Sequence, residues 1–300
     1  MATEKLEIIE VSPRDGIQNE ATILSTDQKI ELISLANSAG LMRAEVTSFV
    51  NPKRVPQMAD ASEVAARRPK TTTAIGLTLN ARGFDRAVAA GLDEANFVVV
   101  ATETFNQHNQ GTGTFNSVNA FGNVRRTAPA SIGIGVTIGA AFGCPFEGEV
   151  SVARMMEVVE AVMAHDPDEI ALADTIGVAT PRDVTDRVRA VQEAFPKTPL
   201  RLHLHNTRNT GIANAWAGIE AGVRRLDASL GGTGGCPFAP QATGNIATED
   251  LVYMLDRSGI TTGVDLDAAI KAAEWLEVQL GHSVPGQVMK AGAFPSARAA

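Results

Sequence analysis

The sequence predicts an α/β protein, a (β/α)8 TIM barrel with extra C-terminal helices, on three observations. Eight short β-branched runs recur along the 300 residues, each followed by an amphipathic stretch or a loop. No composition break or linker divides them, so residues 1–300 read as one domain, with the barrel at about 5–250 and helices at about 251–292. The turn after the first run, Ser12-Pro13-Arg14-Asp15-Gly16, is charged. It lacks the glycine cradle that an open doubly wound sheet places there.

Taken in order, Leu6–Val11 reads as the first strand, closed by Ser12-Pro13. Ser25-Thr26-Asp27 caps a helix whose apolar positions Ile30, Leu32, Ile33, Leu35 and Ala36 run to a stop at Gly40. Arg43–Phe49 is the second strand, followed by a helix through Asp60–Arg67, and Thr71–Leu79 is the third, followed by Ala81–Ala90. Glu94–Ala101 is the fourth. The polar stretch Thr102–Val118 after it reads as a long loop, a length uncommon unless the loop binds something or moves. Ser131–Ile138 is the fifth strand, Val152–Ala164 a helix, and Glu169–Leu172 a short sixth strand ending at Ala173-Asp174. Helix Asp183–Phe195, strand Leu200–His205, helix Gly211–Ala221 and strand Arg225–Ala228 complete the barrel. Leu251–Leu255, Leu266–Ala273 and Trp275–Leu280 read as added helices, and Phe294–Ala300 as disordered.

Bulk properties narrow the function. Hydrophobic residues make up 44% and charged residues 20%, as in a protein with a large core. The net charge of -8, without basic clusters, argues against a nucleic-acid partner. No run of about eighteen apolar residues predicts a membrane span, and Met1–Leu6 has no signal-peptide character. Two cysteines, Cys144 and Cys236, exclude a disulfide scaffold and favour a cytoplasmic setting.

In such a barrel the functional groups gather at the C-terminal strand ends. His203 and His205 are two apart on a strand, so they share a face about 7 Å apart along the chain and can hold one ion. The first, seventh and eighth strands are neighbours in a closed barrel, so Asp15 can face both histidines. With the Asn245 carbonyl, this oxygen and nitrogen set suits Mg2+ or Mn2+. Arg14 can stabilise a developing enolate oxygen, or simply pair with Glu45 or Glu10. Glu45 and Asp174 can orient ligands or a substrate hydroxyl, or serve as structural pairs. Gln18, Asn80 and Thr175 stand, with Arg14, as candidate substrate-binding residues. Cys236 lies in the glycine-rich loop Gly231–Pro237, as an acid–base thiol or a small loop residue. Cys144 reads as packed and apolar.

Several motifs carry a family resemblance. Val11-Ser12-Pro13-Arg14-Asp15-Gly16-Ile17-Gln18-Asn19-Glu20, Thr47-Ser48-Phe49-Val50-Asn51-Pro52-Lys53 and Val55-Pro56-Gln57-Met58 closely resemble 3-hydroxy-3-methylglutaryl-CoA lyases. So do Gly143-Cys144-Pro145-Phe146-Glu147-Gly148, Asp174-Thr175-Ile176-Gly177, Gly231–Pro237 and Ala242–Leu255. The resemblance implies metal ligation by Asp15, His203, His205 and Asn245, enolate stabilisation by Arg14 and acid–base work by Cys236. It ties Glu45 and Asp174 to hydroxyl handling and proton transfer. It further implies retro-Claisen cleavage of an acyl-CoA substrate in leucine degradation, with coenzyme A as part of that substrate, by a homodimer. Related synthases share the Arg-Asp and His-x-His motifs but lack the Gly-Gly-Cys-Pro loop, which favours cleavage over condensation. Where such lyases carry His-Asp-Thr-Tyr-Gly, this chain reads His205-Asn206-Thr207-Arg208-Asn209, and Gly111–Asn116 lacks their lysine. These departures bear on the acyl group and make citramalyl-CoA the alternative substrate.

Overall fold

A computed structural model of the protein describes residues 5–235 and 244–294. The barrel strands are β1 (Glu7–Glu10), β2 (Arg43–Ser48), β3 (Thr73–Thr78), β4 (Glu94–Val100), β5 (Gly133–Gly139), β8 (Glu169–Asp174), β9 (Leu200–Leu204) and β10 (Arg225–Ala228). They pair in parallel and close in the order β1-β10-β9-β8-β5-β4-β3-β2. Between β5 and β8 the chain makes an antiparallel hairpin, β6 (Gly143–Cys144) with β7 (Gly148–Glu149). Parallel neighbours require a crossover, and helices supply it while covering the apolar outer face of the barrel. These are α1 (Thr26–Ser38), α2 (Ala61–Arg67), α3 (Ala81–Ala89), α4 (Glu103–Gln110), α5 (Thr114–Thr127), α6 (Val152–Met163), α7 (Pro181–Ala194) and α8 (Gly211–Glu220). α9 (Thr248–Arg257), α10 (Leu266–Leu280) and the short α11 (Val288–Ala291) follow the barrel. None of the described helices is long and apolar enough to cross a membrane.

The expected start of α1 holds in detail: Ser25 and Gln28 exchange side chain–backbone bonds in a capping box. Two expectations are corrected. The stretch Thr102–Val118 is no loop but α4 and the start of α5, separated where Gly111 takes a left-handed conformation (φ 74°). Polar composition hid the period. Phe105, Val118, Phe121 and Val124 are buried at helical spacing, and Asn106 organises the turn. Its side chain accepts from Val100 N (3.0 Å) and donates to Thr112 O and Ser117 Oγ (both 2.8 Å). Likewise Leu266–Ala273 and Trp275–Leu280 are one continuous helix, because the buried face Ala269, Ile270, Ala273, Leu276 and Leu280 keeps its phase across Glu274. The predicted disorder after Phe294 falls on residues 295–300, outside the described residues.

The barrel interior is ionic at its N-terminal end. Arg43 bridges Glu94 (2.6 Å) and Glu169 (3.0 Å), and Arg225 also reaches Glu169 (2.7 Å). Arg201, 1% exposed, lies 3.2 Å from both Glu169 and Asp227. Burial alone would raise the Glu169 carboxyl, but Arg201 and Arg43 outweigh it and hold it at about 2. Removing one partner of such a cluster leaves a buried charge uncompensated. The Arg201→Ala variant is therefore expected to lose about 3–5 kcal/mol of unfolding free energy, measured by urea denaturation. An unchanged midpoint would show the cluster to be energetically idle.

Candidate active site

Arg14 and Asp15 sit on a π-helical turn, Ser12–Gly16, that follows β1 directly. His203 is in β9 and His205 just past it, so the alternation of a strand sends both, with Arg201, into the barrel. Their Nε2 atoms are 3.1 Å apart, and each is 3.7 Å from Asp15 Oδ2. One ligand atom from each of Asp15, His203 and His205 falls within 4.8 Å of the others. Asn245 is brought beside them by an isolated bridge to His205. Its Nδ2 donates to Asp15 Oδ2 (2.8 Å) and Thr233 O (3.0 Å), while its buried Oδ1 has no partner.

These residues fit a divalent cation. The Asp227 carboxylate lies 3.0 Å from His203 Nδ1, which places the ring proton there and leaves Nε2 as a donor of its lone pair. Two imidazole nitrogens in near contact, an ionised carboxylate and an orphaned amide oxygen form a nitrogen and oxygen donor set without thiolate. Burial would push the Asp15 carboxyl up. Arg14 and the two histidines outweigh it and hold it well below the usual carboxylate range.

Arg14 is fixed in turn. Its guanidinium ion-pairs with Asp15 and donates through Nε to Glu45 Oε2 (2.6 Å). The other Glu45 oxygen accepts from Asn96 (3.1 Å), whose own oxygen accepts from Thr137 (3.0 Å). Glu45 therefore has the structural pairing foreseen for it, and that pairing holds Arg14 in place.

A cavity of about 1050 Å³ opens over this group. Gln18, Asn80 and Thr175 line it, as anticipated. Each is also engaged locally: Gln18 accepts from Ser48 Oγ (3.2 Å), Asn80 from Gly83 N (3.0 Å) at the start of α3, and Thr175 from Ala140 N (2.9 Å). Asp174 stands apart from the cavity lining. Its two oxygens accept from Val178 N (2.9 Å) and Ala179 N (3.0 Å), and burial raises its carboxyl above the ordinary value despite those bonds. Cys236 lies outside the described residues. Cys144 is buried, yet its sulfur accepts from Thr102 (3.1 Å) and two backbone N–H groups, so it is more than an apolar filler. The two unusual residues after His205 are structural. Asn206 accepts from Gly211 N (3.0 Å), and Arg208 donates to the carbonyls of Ile176 and Gly177 (both 2.9 Å).

Sequence reasoning missed Asp227, Asn96 and Arg201. The available signal was a charged or amide side chain in phase with the inward positions of a strand. Asp227, flanked by Leu226 and Ala228, is paired in register with His203.

The root of the glycine-rich loop rests on two buried carboxylates. Glu10 accepts from Ser12 N (2.8 Å), Leu230 N (3.0 Å) and Thr248 Oγ1 (2.7 Å), and Glu249 accepts from Gly231 N (3.1 Å). Burial, helped by Asp250 and Glu10, pushes Glu249 up from 4.5 to about 8.

The family model described as HMGL-like matches residues 5–276. An (R)-citramalyl-CoA lyase of Chloroflexus aurantiacus is 43% identical, over 96% of this chain and 95% of its own. The mitochondrial hydroxymethylglutaryl-CoA lyase of Mus musculus is 41% identical, over 96% and 90%. The solved HMG-CoA lyase from Acinetobacter baumannii, in complex with coenzyme A and 3-methylmalate, superposes with a TM-score of 0.94 at 42% identity. That match covers 98% of this chain and 97% of that one.

Two predictions follow from the geometry. Gly234 has φ 114°, and a Cβ there would overlap Asn245 Nδ2 and approach Asp15 Oδ2 to 3.2 Å. Gly234→Ala is expected to weaken Mn2+ binding by about tenfold or more, as disturbed ligand positioning does; calorimetry showing unchanged affinity would refute the crowding. For Glu249 the folded carboxyl holds its proton to about 8 while the unfolded one releases it near 4.5, so stability is lost as pH rises through that window. Glu249→Gln removes the loss. Its stability advantage over the parent should be near zero at about pH 4 and, above about pH 5, grow by roughly 1.4 kcal/mol per pH unit toward pH 8, read from denaturation curves.

Proposed function

We propose, because this chain belongs to the HMGL-like family, that it is a divalent-metal-dependent carbon–carbon lyase acting on 3-hydroxy-3-methylglutaryl-CoA. The products are acetyl-CoA and acetoacetate. The observation that supports it most is the convergence of Asp15, His203 and His205 beside a fixed Arg14 at the floor of one cavity. Asp15, His203, His205 and Asn245 would hold Mg2+ or Mn2+. A bound divalent ion supplies a Lewis-acid anchor for the substrate's hydroxyl and carboxylate oxygens.

The protein's own groups do the rest. The resemblance ties Glu45 and Asp174 to the substrate hydroxyl and its proton, which requires one of them to turn toward the cavity from its present partners, Arg14 and Asn96 or Val178 N and Ala179 N. As that proton leaves, the oxygen forms a carbonyl, and the electron pair of the breaking carbon–carbon bond passes to the acetyl thioester as its enolate. Arg14 has five N–H donors, of which Glu45 and Asp15 take only part, so the remainder can face the enolate oxygen. Cys236 is assigned the protonation of the enolate carbon. A homodimer in the cytoplasm goes with this reading.

A second reading has its own support. The citramalyl-CoA lyase relative is as similar as the hydroxymethylglutaryl-CoA lyases, and the same groups would release acetyl-CoA and pyruvate from citramalyl-CoA. The deciding experiment compares kcat/KM on the two thioesters with Mg2+ or Mn2+ present. Higher kcat/KM on 3-hydroxy-3-methylglutaryl-CoA is expected, and higher kcat/KM on citramalyl-CoA would transfer the assignment. Cleavage of neither would overturn the lyase reading. His205→Ala is expected to lower kcat by about 10³-fold, since several kcal/mol of Lewis-acid stabilisation depend on that ligand. A chelator should abolish activity and added Mn2+ restore it.

A further inference from the structure

We propose that Gly139 is a specificity-determining residue of the cavity wall, leaving the space into which the alkyl substituent on the hydroxyl-bearing carbon of the substrate fits. The inference deepens the lyase reading and rests on it.

The cavity floor has two unlike sides. Arg14 and Asp15 follow β1, Asp227 lies in β10, and His203 and His205 come from β9, three neighbouring strands of the closed barrel. On the other side, β4, β5 and the end of β8 contribute Val98, Val100, Thr137, Gly139, Ala173 and Thr175, short side chains without a charge. β4 stands opposite β10 in the closed order. The hydroxyl and free carboxylate of the substrate belong with the charged side on Coulomb grounds, and the thioester arm with Arg14. The alkyl arm is left for the uncharged side.

On that side Gly139 is the residue that its own fold does not explain. It ends β5, paired in unbroken register with Val100. A glycine inside a strand costs conformational entropy and packs nothing, so it marks a bulge or the close approach of another group. The register excludes a bulge. A Cβ at 139 would lie 3.4 Å from Val100 Cγ2 and 3.8 Å from Thr175 Oγ1, ordinary contact distances. Gly83, also on the lining, differs: its Cβ would come within 2.9 Å of Phe49 O, so packing alone accounts for it. At Gly139 the space of the missing side chain opens into the cavity instead. Its position is fixed. Ala101 N donates to its carbonyl (2.9 Å), and Ala140 turns the chain at φ 52° with its N–H on Thr175 Oγ1 (2.9 Å).

The test uses the metal-loaded enzyme and coenzyme A thioesters of 3-hydroxyglutarate, 3-hydroxy-3-methylglutarate and 3-hydroxy-3-ethylglutarate, which differ only in that substituent. Malyl-CoA against citramalyl-CoA makes the same comparison one methylene shorter, so the outcome does not depend on which acyl chain is preferred. Gly139→Ala should lower kcat/KM about tenfold or more for the methyl thioesters and further for the ethyl one, and by less than about twofold where the substituent is hydrogen. Its affinity for Mn2+, read by calorimetry, should match the parent's. Gly139→Val should extend the loss to smaller substituents. Gly135→Ala controls for the strand: its added methyl would meet Glu169 at 3.7 Å, outside the cavity lining, and should leave the ranking of thioesters unchanged. Ratios among thioesters do not depend on the amount of folded enzyme, so partial misfolding cannot imitate the result. An equal loss on every thioester, or no loss, overturns the assignment of Gly139. A parent enzyme that cleaves none of them would instead remove the lyase reading itself.

Discussion

The candidate site depends on keeping one negative charge, that of Asp15, ionised and stationary inside a barrel. A lone buried carboxylate would take up a proton rather than stay charged. Arg14 prevents this, and Arg14 is itself restrained by Glu45, Asn96 and Thr137, a chain of contacts that crosses from β2 to β5. The two histidines then meet a permanent anion on one side, and His203 meets a second anion, Asp227, on the other. Each restraint is provided by a different strand. The closed barrel is what brings them to one point.

The same logic runs down the barrel axis. Asp227 joins His203 to Arg201, and Arg201 joins Asp227 to Glu169, Arg43 and Glu94. Charges alternate along this path, so each burial is offset by its neighbour, and the site stands on an ionic floor instead of an apolar plug. Such pairs rarely improve on hydrophobic packing in stability. Here they fix the orientation of the ring whose Nε2 faces Asp15, which an apolar core could not do.

Much of this was legible in the sequence where local rules suffice. The spacing of His203 and His205 alone sends both side chains to one face, and the charged turn Arg14-Asp15 follows a strand in a fold that puts function at strand ends. Partners that depend on register between strands were not legible. Asp227 and Arg201 read as ordinary strand residues until the pairing of β9 with β10 sets Asp227 beside His203 and the pairing of β9 with β8 brings Arg201 to Glu169. Helix α5 was hidden for a different reason: its buried Val118, Phe121 and Val124 are diluted by asparagine, threonine and glycine, so composition suggested a loop where periodicity held a helix.

The structure also changes what the unusual residues after His205 mean. Arg208 spends its donors on the carbonyls of Ile176 and Gly177, and Asn206 spends its oxygen on Gly211, so both tie adjoining loops together rather than face a substrate. Selection of the acyl group must therefore come from the cavity wall. The two candidate substrates differ by a single methylene between the tertiary carbon and the free carboxylate, and one methylene is worth only about 1–3 kcal/mol in a binding pocket. A wall displacement too small to alter the fold is enough to shift that balance. Relatives of both specificities can thus share some two-fifths of their residues with the same chain.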